Sequence, residues 1–418
     1  MRERFLRRLS SFLTDYWQII LILLFSFFLR IFRVRELTTF SGDQGIDLLV
    51  VKRMLVDHRW TLLGPKTSVA PIFNGPAYYY MLLPFLTLTS LDPIGASYFM
   101  IFTYILTIFL IYIFCKKFVN KRVGILAALF FGIWPISVEY SRVSFNSFPT
   151  PLFAMIFVYS LFRSLNNYRW AVLVGLSLGV MMQLHYFNFF LGLIGLIWSA
   201  VNARKLGFYF FILFFIFFLI GFSPMIFFEL RHSFFNTKSL YMFLKEGGVP
   251  RFKLQLHYFI SFFPLIFIFL SLLLDKIIEK NKLIGVFICI FLFIYNVSKL
   301  DLFRNNGFTM PSSWNMNGVE RVAEIIKNDL SSNENFNIAA ILDGDTRGYP
   351  YRYFLEIKGV KPLGVDEYPQ TRTLYVVGRG DEDFIINYPV WEIYSILPAK
   401  ITKVWEIQNG VKLFKLEK

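Results

Sequence analysis

Residues 40–60, "FSGDQGIDLLVVKRMLVDHRW", place three aspartates, one histidine and three basic side chains directly after a strongly apolar segment. Ser41 and Gln44 form the S-x-x-Q pattern of a capping box, which predicts a short helix beginning at Gly42 or Asp43. Asp43 and Asp47 are four residues apart and therefore lie on one face of this helix. A carboxylate there could accept a proton from an attacking hydroxyl group as a general base. The residues alone leave open a simpler interpretation, a first-turn carboxylate favoured by the helix dipole.

Other polar residues that could bind a substrate also follow hydrophobic runs. They are Lys66 in "GPKTS", Arg142 and Asn146 in "EYSRVSFNSFP", His185 in "QLHYFN", and Glu229, Arg231 and His232 in "FELRHSFFNTK". The cations could neutralise a phosphate group, although a contact with lipid headgroups is the simpler interpretation for each one alone. Carboxylate and imidazole groups also suit a divalent metal ion, but no metal-binding motif supports one here.

The composition indicates that these residues lie at the ends of membrane spans. Of the 418 residues, 56% are hydrophobic, which exceeds the share in ordinary soluble domains. Several apolar runs approach the length that crosses the ~30 Å hydrocarbon core of a bilayer. The net charge is +15, but the basic residues are scattered over loops, so no nucleic-acid surface is predicted. The two cysteines, Cys115 and Cys289, fall in apolar runs and predict no disulfide framework.

The basic loops predict the orientation of the chain. Arginines 2, 4, 7 and 8 precede the first span and place the N-terminus in the cytoplasm. The basic loops 116–122, 163–169, 202–205 and 275–282 are then cytoplasmic as well, and the segment around Asp43 is on the outer face of the cell membrane. About nine transmembrane helices are predicted, over residues 17–34, 95–115, 122–139, 148–163, 170–184, 186–201, 207–228, 257–274 and 283–299. Residues 76–91, short and tyrosine-rich, predict an outer juxtamembrane helix instead.

From about residue 300 the texture changes to that of a soluble domain. "NGVERVAEIIKNDL" has helical spacing, and "FNIAAILDG" and "TLYVVGRG" predict short buried strands. A hairpin is predicted around Asn409 and Gly410. The fold class is therefore a multispan α-helical membrane protein with a small C-terminal α/β extracytoplasmic domain. Its predicted divisions are a transmembrane catalytic domain (1–299), with an outer catalytic loop (35–94), and the outer domain (300–418).

The outer motifs together resemble a known family. "GDQGIDLLVVKRML", "LLGPKTS", "NGPAYYYMLLPF", "YSRVSFNSFPTPLF", "QLHYFN" and "FELRHSFF" occur in an order similar to that of the prokaryotic family 39 glycosyltransferases. These belong to the GT-C superfamily, with the protein O-mannosyltransferases and the lipid A aminoarabinose transferase. The resemblance runs from the first span to about His232. Two departures are Gln44, where many members have glutamate, and Asn146, where many have an acidic residue.

The resemblance implies an inverting transferase that moves a sugar from a polyprenyl-phosphate carrier to an acceptor hydroxyl of a protein, lipid or glycan. Asp43 matches the catalytic acidic residue of the family, and Asp47 would assist it. Lys66, Arg142, Arg231 and His232 are the expected contacts of the donor phosphate and lipid. Tyr79, Asn146, His185 and Glu229 are the expected substrate contacts. No cofactor is implied, and a divalent metal ion stays an open alternative.

Two other classes of protein would also fit many spans and interfacial charges. A transporter or flippase of lipid-linked sugars needs a polar site near the membrane midplane, often in repeated halves, and the sequence has no internal repeat. A non-catalytic scaffold could present its outer domain to a partner. It predicts that replacing Asp43 by asparagine has no effect.

Overall fold

The computed structural model describes residues 2–68, 71–246, 255–331, 335–342 and 344–418, with side chains from residue 15 onward. The side chains of the four N-terminal arginines, on which the predicted orientation partly depends, lie outside this description. Within it, the first 299 residues are helical. Their helices are α1 (Arg2–Ile31), α2 (Val34–Leu37), α3 (Gly42–Val56), α4 (Ala77–Leu88), α5 (Ile94–Phe118), α6 (Lys121–Ile133), α7 (Pro135–Tyr140), α8 (Thr150–Ser164), α9 (Ala171–Leu184), α10 (Phe189–Val201), α11 (Ala203–Leu206), α12 (Phe208–Arg231), α13 (Phe235–Lys245), α14 (Phe263–Lys280) and α15 (Lys282–Ser298).

Helices occupy each of the nine segments predicted to span the membrane. Three stretches of the described chain, Ile94–Phe118, Phe208–Arg231 and Leu256–Lys280, are long and apolar enough to cross a bilayer by length and composition. The other apolar helices that meet this composition are shorter, for example Thr150–Ser164 and Lys282–Ser298. The chain is thus a membrane protein with several apolar helices, while the count of nine spans stays a prediction.

The third predicted span, residues 122–139, consists of two helices rather than one. Trp134, which precedes Pro135, has φ −62° and ψ 125°, an extended conformation. Proline disfavours the helical region for the residue before it, so α6 ends at Ile133 and α7 begins at Pro135. The break matters because α7 leads into the segment that carries Arg142 and Asn146.

Helix α4 is too short to cross a bilayer, as the sequence predicted for this segment. Its 12 residues extend about 18 Å at 1.5 Å per residue. The helix packs against α3 and α5, and Tyr78 and Tyr79 are buried. Two neighbouring tyrosines are thereby fixed beside the helix that carries Asp43.

The remaining residues form the predicted α/β unit. It contains α16 (Met316–Asp329), β1 (Phe336–Ala340), α17 (Tyr349–Ile357), β2 (Thr373–Gly378), α18 (Glu382–Ile386), α19 (Trp391–Tyr394), β3 (Lys400–Gln408) and β4 (Val411–Glu417). The sheet order is β1-β2-β4-β3, with β1 and β2 parallel and the other pairs antiparallel. Asn409 and Gly410 have φ 49° and 75°, as a two-residue hairpin turn requires. The predicted hairpin and the predicted strands are confirmed.

This C-terminal unit packs directly on the helical region. Lys52 Nζ of α3 lies 2.9 Å from Glu356 Oε2 of α17. Arg304, in the segment that connects the two regions, pairs with Glu139. One hydrophobic core contains buried residues of both regions, from Phe40 and Leu48 to Phe354. The contacts define one end of the bundle, called the domain end below.

The predicted basic loops lie together at the opposite end. Arg122 pairs with Asp275, and Asn120 Nδ2 donates to the second Asp275 oxygen at 2.9 Å. The loops after α5 and after α14 therefore meet. Which end faces the cytoplasm stays a prediction from the positive-inside tendency.

Candidate functional site

A cavity of about 630 Å³ lies between the ends of α9 and α12, helix α13 and the loops near α4 and α8. This volume falls within the range of small-molecule and cofactor sites. The described residues that line it are Lys66, Thr67, Ser68, Ile72, Asn74, Phe145, Asn146, Met182, His185, Tyr186, Phe187, Phe189, Phe222, Met225, Glu229, Asn236, Thr237, Leu240, Phe243, Leu244, His257 and Tyr258. The lining is mostly apolar or aromatic, with a smaller set of polar groups. Such a surface can bind an apolar chain that ends in a polar group.

Four residues predicted from four separate segments meet in this cavity. They are Lys66, Asn146, His185 and Glu229. The backbone of Lys66 pairs with that of Phe73 in an isolated antiparallel β-bridge. The side chain of Asn146 donates from Nδ2 to the Leu184 carbonyl at 2.5 Å. The bond from Asn146 connects the segment after α7 to the end of α9. Residues more than 160 positions apart in the chain thus share one wall.

His185 is a neutral hydrogen-bond donor in the cavity. Burial, followed by the neighbouring His257, lowers the pKa of its imidazole to about 4. Its Nδ1 accepts from the Phe187 amide at 3.3 Å, so the neutral ring carries its proton on Nε2. The ring stacks on Tyr258 with centroids 5.3 Å apart. His185 therefore offers an N–H group without bringing a positive charge.

Glu229 lines the cavity but its carboxylate already has partners. Oε1 accepts from the Asn236 amide at 3.0 Å, and Oε2 accepts from the Thr237 amide at 3.0 Å and from its hydroxyl at 2.6 Å. The Asn236 and Thr237 amides belong to the first turn of α13, where backbone amides have no partner within the helix. Glu229 thus fixes α13 as a wall of the cavity.

Asp43 lies in the first turn of α3, at the domain end. The Ser41 amide donates to Gln44 Oε1 at 3.2 Å, so the predicted capping box and helix start are confirmed. The Asp43 side chain is exposed, yet the surrounding protein still raises the pKa of its carboxyl above the usual range by desolvation. An exposed carboxylate with a raised pKa can both receive and hold a proton.

Asp47 lies one turn further along α3 in a different environment. It is 4% exposed, and Tyr79 donates its hydroxyl proton to Asp47 Oδ1 at 2.8 Å. Burial raises the pKa of Asp47 to about 8, while the Tyr79 bond opposes the shift and the charge of Asp43 adds to it. Asp47 is therefore mostly protonated at neutral pH. The two aspartates share a helix face, as the spacing predicts, but Asp43 is exposed and Asp47 is buried.

Gln44 connects the Asp43 helix to the cavity wall. Its Nε2 donates to the Ser144 carbonyl at 3.2 Å, and the Ser144 hydroxyl lies 2.6 Å from the Tyr78 hydroxyl. Ser144 is two residues before Asn146, which lines the cavity. The start of α3 and the polar wall of the cavity are thus joined through one short segment.

Known proteins share the fold that brings these residues together. Residues 73–228 match the family described as dolichyl-phosphate-mannose-protein mannosyltransferase. The structure of ArnT from Cupriavidus metallidurans bound to undecaprenyl phosphate aligns over 96% of this chain and 98% of ArnT, with a TM-score of 0.63 and 12% identity. Apo ArnT aligns over 97% and 98%, with a TM-score of 0.58 and 11% identity. No curated protein sequence matches significantly.

The chain has the fold of ArnT. The predicted resemblance is confirmed by this fold and by the family match over residues 73–228, and the predicted glycosyltransferase activity is consistent with both. The matched range contains α4, the segment with Asn146, and His185, and it ends just before Glu229. Asp43 and the C-terminal unit lie outside that range, whereas the ArnT alignment covers 96% of the chain.

Arg142, a predicted contact of the donor phosphate, lies outside the cavity lining that the described residues form. Its side chain is fully buried, and its guanidinium donates to the carbonyls of Leu29 and Arg30 at the end of α1. Glu139 lies 3.8 Å away. Arg142 thus connects the end of α1 to the segment after α7, because buried helix-end carbonyls need donors.

Three further predicted contacts lie elsewhere as well. Arg231 and His232 are exposed at the end of α12, outside the lining that the described residues form, and His232 Nδ1 lies 2.9 Å from the Phe228 carbonyl. The Tyr79 hydroxyl is engaged by Asp47 rather than directed at the cavity. Helix α12 continues to Arg231, so Arg231 and His232 lie beyond Glu229, at which this helix contacts the cavity.

The sequence analysis overlooked His257 and Tyr258. Both line the cavity, and their rings lie 4.6 Å apart by centroid. A signal was present, since these polar residues are the first two of the eighth predicted span, at its domain end. Across the described residues, no group of three or more His, Cys, Asp or Glu side chains is arranged to hold a metal ion.

Proposed function

We propose that this protein transfers a sugar from a polyprenyl-phosphate-linked donor to an acceptor hydroxyl at the outer face of the cell membrane, with inversion. The observation that carries the proposal is the convergence of Lys66, Asn146, His185 and Glu229 on one largely apolar cavity within a GT-C fold. The aligned ArnT structure contains undecaprenyl phosphate, a carrier of this chemical class.

The cavity binds the lipid-linked donor in this scheme. Its aromatic and aliphatic lining, including Phe222 and Met225 of α12, suits the first isoprene units, while Lys66 provides a positive charge for the phosphate. The Nε2 proton of His185 supplies a neutral donor to a phosphate or sugar oxygen. Phosphate is already a competent leaving group, so positioning and charge stabilisation are the main tasks of the protein.

Asp43 accepts the proton of the acceptor hydroxyl in this scheme. As the acceptor oxygen attacks the anomeric carbon, its proton passes to the Asp43 carboxylate, and the bond between that carbon and the phosphate oxygen breaks. The products are the glycosylated acceptor and the free polyprenyl phosphate. A pKa raised above the usual aspartate range makes Asp43 a better base than an ordinary surface carboxylate.

Asp47 has a positioning role in this scheme. Because Asp47 is buried and its Oδ1 already accepts from the Tyr79 hydroxyl, it is not placed to take the proton of an acceptor. Through the Tyr79 hydroxyl it holds α3 against α4, which fixes the direction of the first turn. Asp43 therefore carries the proton transfer alone.

The test uses the purified full chain in lipid nanodiscs and a panel of polyprenyl-phosphate-linked hexoses and pentoses labelled in the sugar. Wild type should release polyprenyl phosphate from at least one of them. Asp43→Asn should be slower by about 100-fold or more, the usual contribution of a general base. Asp57→Asn, an exposed carboxylate at the other end of α3, is the matched control and should retain full turnover. Equal rates for wild type and Asp43→Asn would contradict the role of Asp43.

A further inference from the structure

The C-terminal unit contacts the first turn of α3 at two glycines. A Cβ atom at Gly42 would lie 2.8 Å from Cβ and Cγ of Asp345, and one at Gly45 would lie 2.5 Å from the Tyr349 carbonyl carbon. Glycines three residues apart share one helix face. The loop before α17 therefore approaches this helix closer than any side chain would allow, directly beside Asp43.

The loop that makes this contact is held firmly. The Tyr349 amide donates to Asp345 Oδ2 at 3.0 Å, which fixes the carboxylate. Thr346 is held from both sides, because its hydroxyl donates to Glu392 at 2.8 Å and its carbonyl accepts from the Ala340 amide at 3.1 Å. Asp345 is consequently presented at α3 in one orientation.

Two carboxylates from distant parts of the chain thus meet at the same helix start. Asp345 lies over Gly42, the residue adjacent to Asp43. Burial has the largest effect on the Asp345 carboxyl and raises its pKa. The amides of Tyr349 and Arg347 and the charge of Arg352 oppose this rise, and the charge of Asp43 adds a smaller contribution to it. A helix cap explains the bond to Tyr349, but it does not explain why two glycines bring this carboxylate to the proposed base.

We propose that Asp345 is an acceptor-positioning residue, by which the C-terminal unit completes the acceptor site beside Asp43. This inference rests on the proposed function and names the second wall of the same site. Asp345 accepts a hydrogen bond from a hydroxyl neighbouring the one that Asp43 deprotonates. The acceptor class is therefore a neutral or cationic polyol, such as a glycan with vicinal hydroxyls, and two carboxylates disfavour an anionic acceptor.

The experiment compares two reactions of the full chain with the donor that wild type uses. One is donor hydrolysis, in which water is the acceptor, and the other is transfer to a methyl hexoside. Asp345→Asn keeps an oxygen for the Tyr349 amide but removes the charge. It should leave hydrolysis within about twofold of wild type and raise the KM for the methyl hexoside about tenfold, with kcat little changed.

Two further variants separate this role from a structural one. Gly42→Ala should push the loop away and produce the same selective rise in acceptor KM. Glu382→Gln, an exposed carboxylate of α18, should change neither reaction. A loss of hydrolysis and transfer together in Asp345→Asn, or no change in either, overturns the proposal, as does a wild-type preference for a hexose phosphate over the methyl hexoside. Absence of any donor turnover by wild type instead overturns the proposed function, and this assignment with it.

Discussion

The cavity and the start of α3 are built in opposite ways. The cavity is formed within the helical region by apolar side chains of α12 and α13 and of the segments around them, and its polar groups include Lys66 and the neutral His185. The start of α3 is formed by a loop of the C-terminal unit against a helix of the first region, and it gathers Asp43, Asp47 and Asp345.

The difference assigns the two substrates of a transferase to two regions. An apolar cavity in which Lys66 is the one cation among the described lining residues suits a lipid-linked monoanion, whereas a rigid carboxylate wall suits hydroxyl groups from water. Gln44 and Ser144 join the two regions through direct hydrogen bonds. Variants that affect one substrate and spare the other test this division.

The largest effect among such variants is expected at Lys66. Lys66→Met keeps the length of the side chain and removes its charge, so the KM for the lipid-linked donor should rise about tenfold while the acceptor KM stays constant. Initial rates over a matrix of donor and acceptor concentrations measure both. Arg231→Met is the control, since Arg231 is exposed and outside the described lining. A donor KM that rises equally in both variants would contradict the assignment of the cavity.

A smaller effect is expected at the contact between the C-terminal unit and α3. In Gly45→Ala the added methyl group meets backbone atoms of Tyr349 and Pro350, which cannot move as a side chain tip can. The variant should lose roughly 1–3 kcal/mol of stability, typical of overpacking. Thermal unfolding in nanodiscs measures the loss, and the acceptor KM should rise while the donor KM does not. Gly207→Ala is the comparison, because a Cβ there meets no atom within 4 Å, although its φ of 72° adds backbone strain of its own. Unchanged stability and acceptor KM in Gly45→Ala would show that this contact does not shape the acceptor side.

The smallest effect is a change in the pH dependence of stability at Asp47. Between the ordinary aspartate value of 3.8 and about 8, the folded chain retains the Asp47 proton that the unfolded chain has released. This residue therefore makes folded stability fall as the pH rises through that window. Asp47→Asn keeps an acceptor for the Tyr79 hydroxyl and removes the titration, so its unfolding temperature should fall less than that of wild type between pH 5 and pH 9. An identical slope in Asp47→Asn and wild type would contradict the buried, raised titration of Asp47.

The sequence predicted the elements better than the contacts of individual polar residues. The capping box at Ser41 and Gln44 and the hairpin at Asn409 were predictable because such motifs depend on a few neighbouring residues. Lys66 and His185 could be grouped because each follows a hydrophobic run at the same end of the bundle. Arg142 follows the same pattern, yet it points inward to the carbonyls of α1. A pattern of spans gives the depth of a residue but not the direction of its side chain.

The sequence by itself determined that this chain is a helical membrane protein with an α/β unit at its end, because apolar periodicity and local turn chemistry act over a few residues. It also identified Asp43 as the candidate general base, by its position after the first apolar run and by the family resemblance. Only the tertiary structure decided that Asp47 is buried and neutral and that Asp345 lies against Gly42, next to Asp43. Those properties depend on contacts between Asp47 and Tyr79 and between residues some 300 positions apart, and burial and charge act through space rather than along the chain.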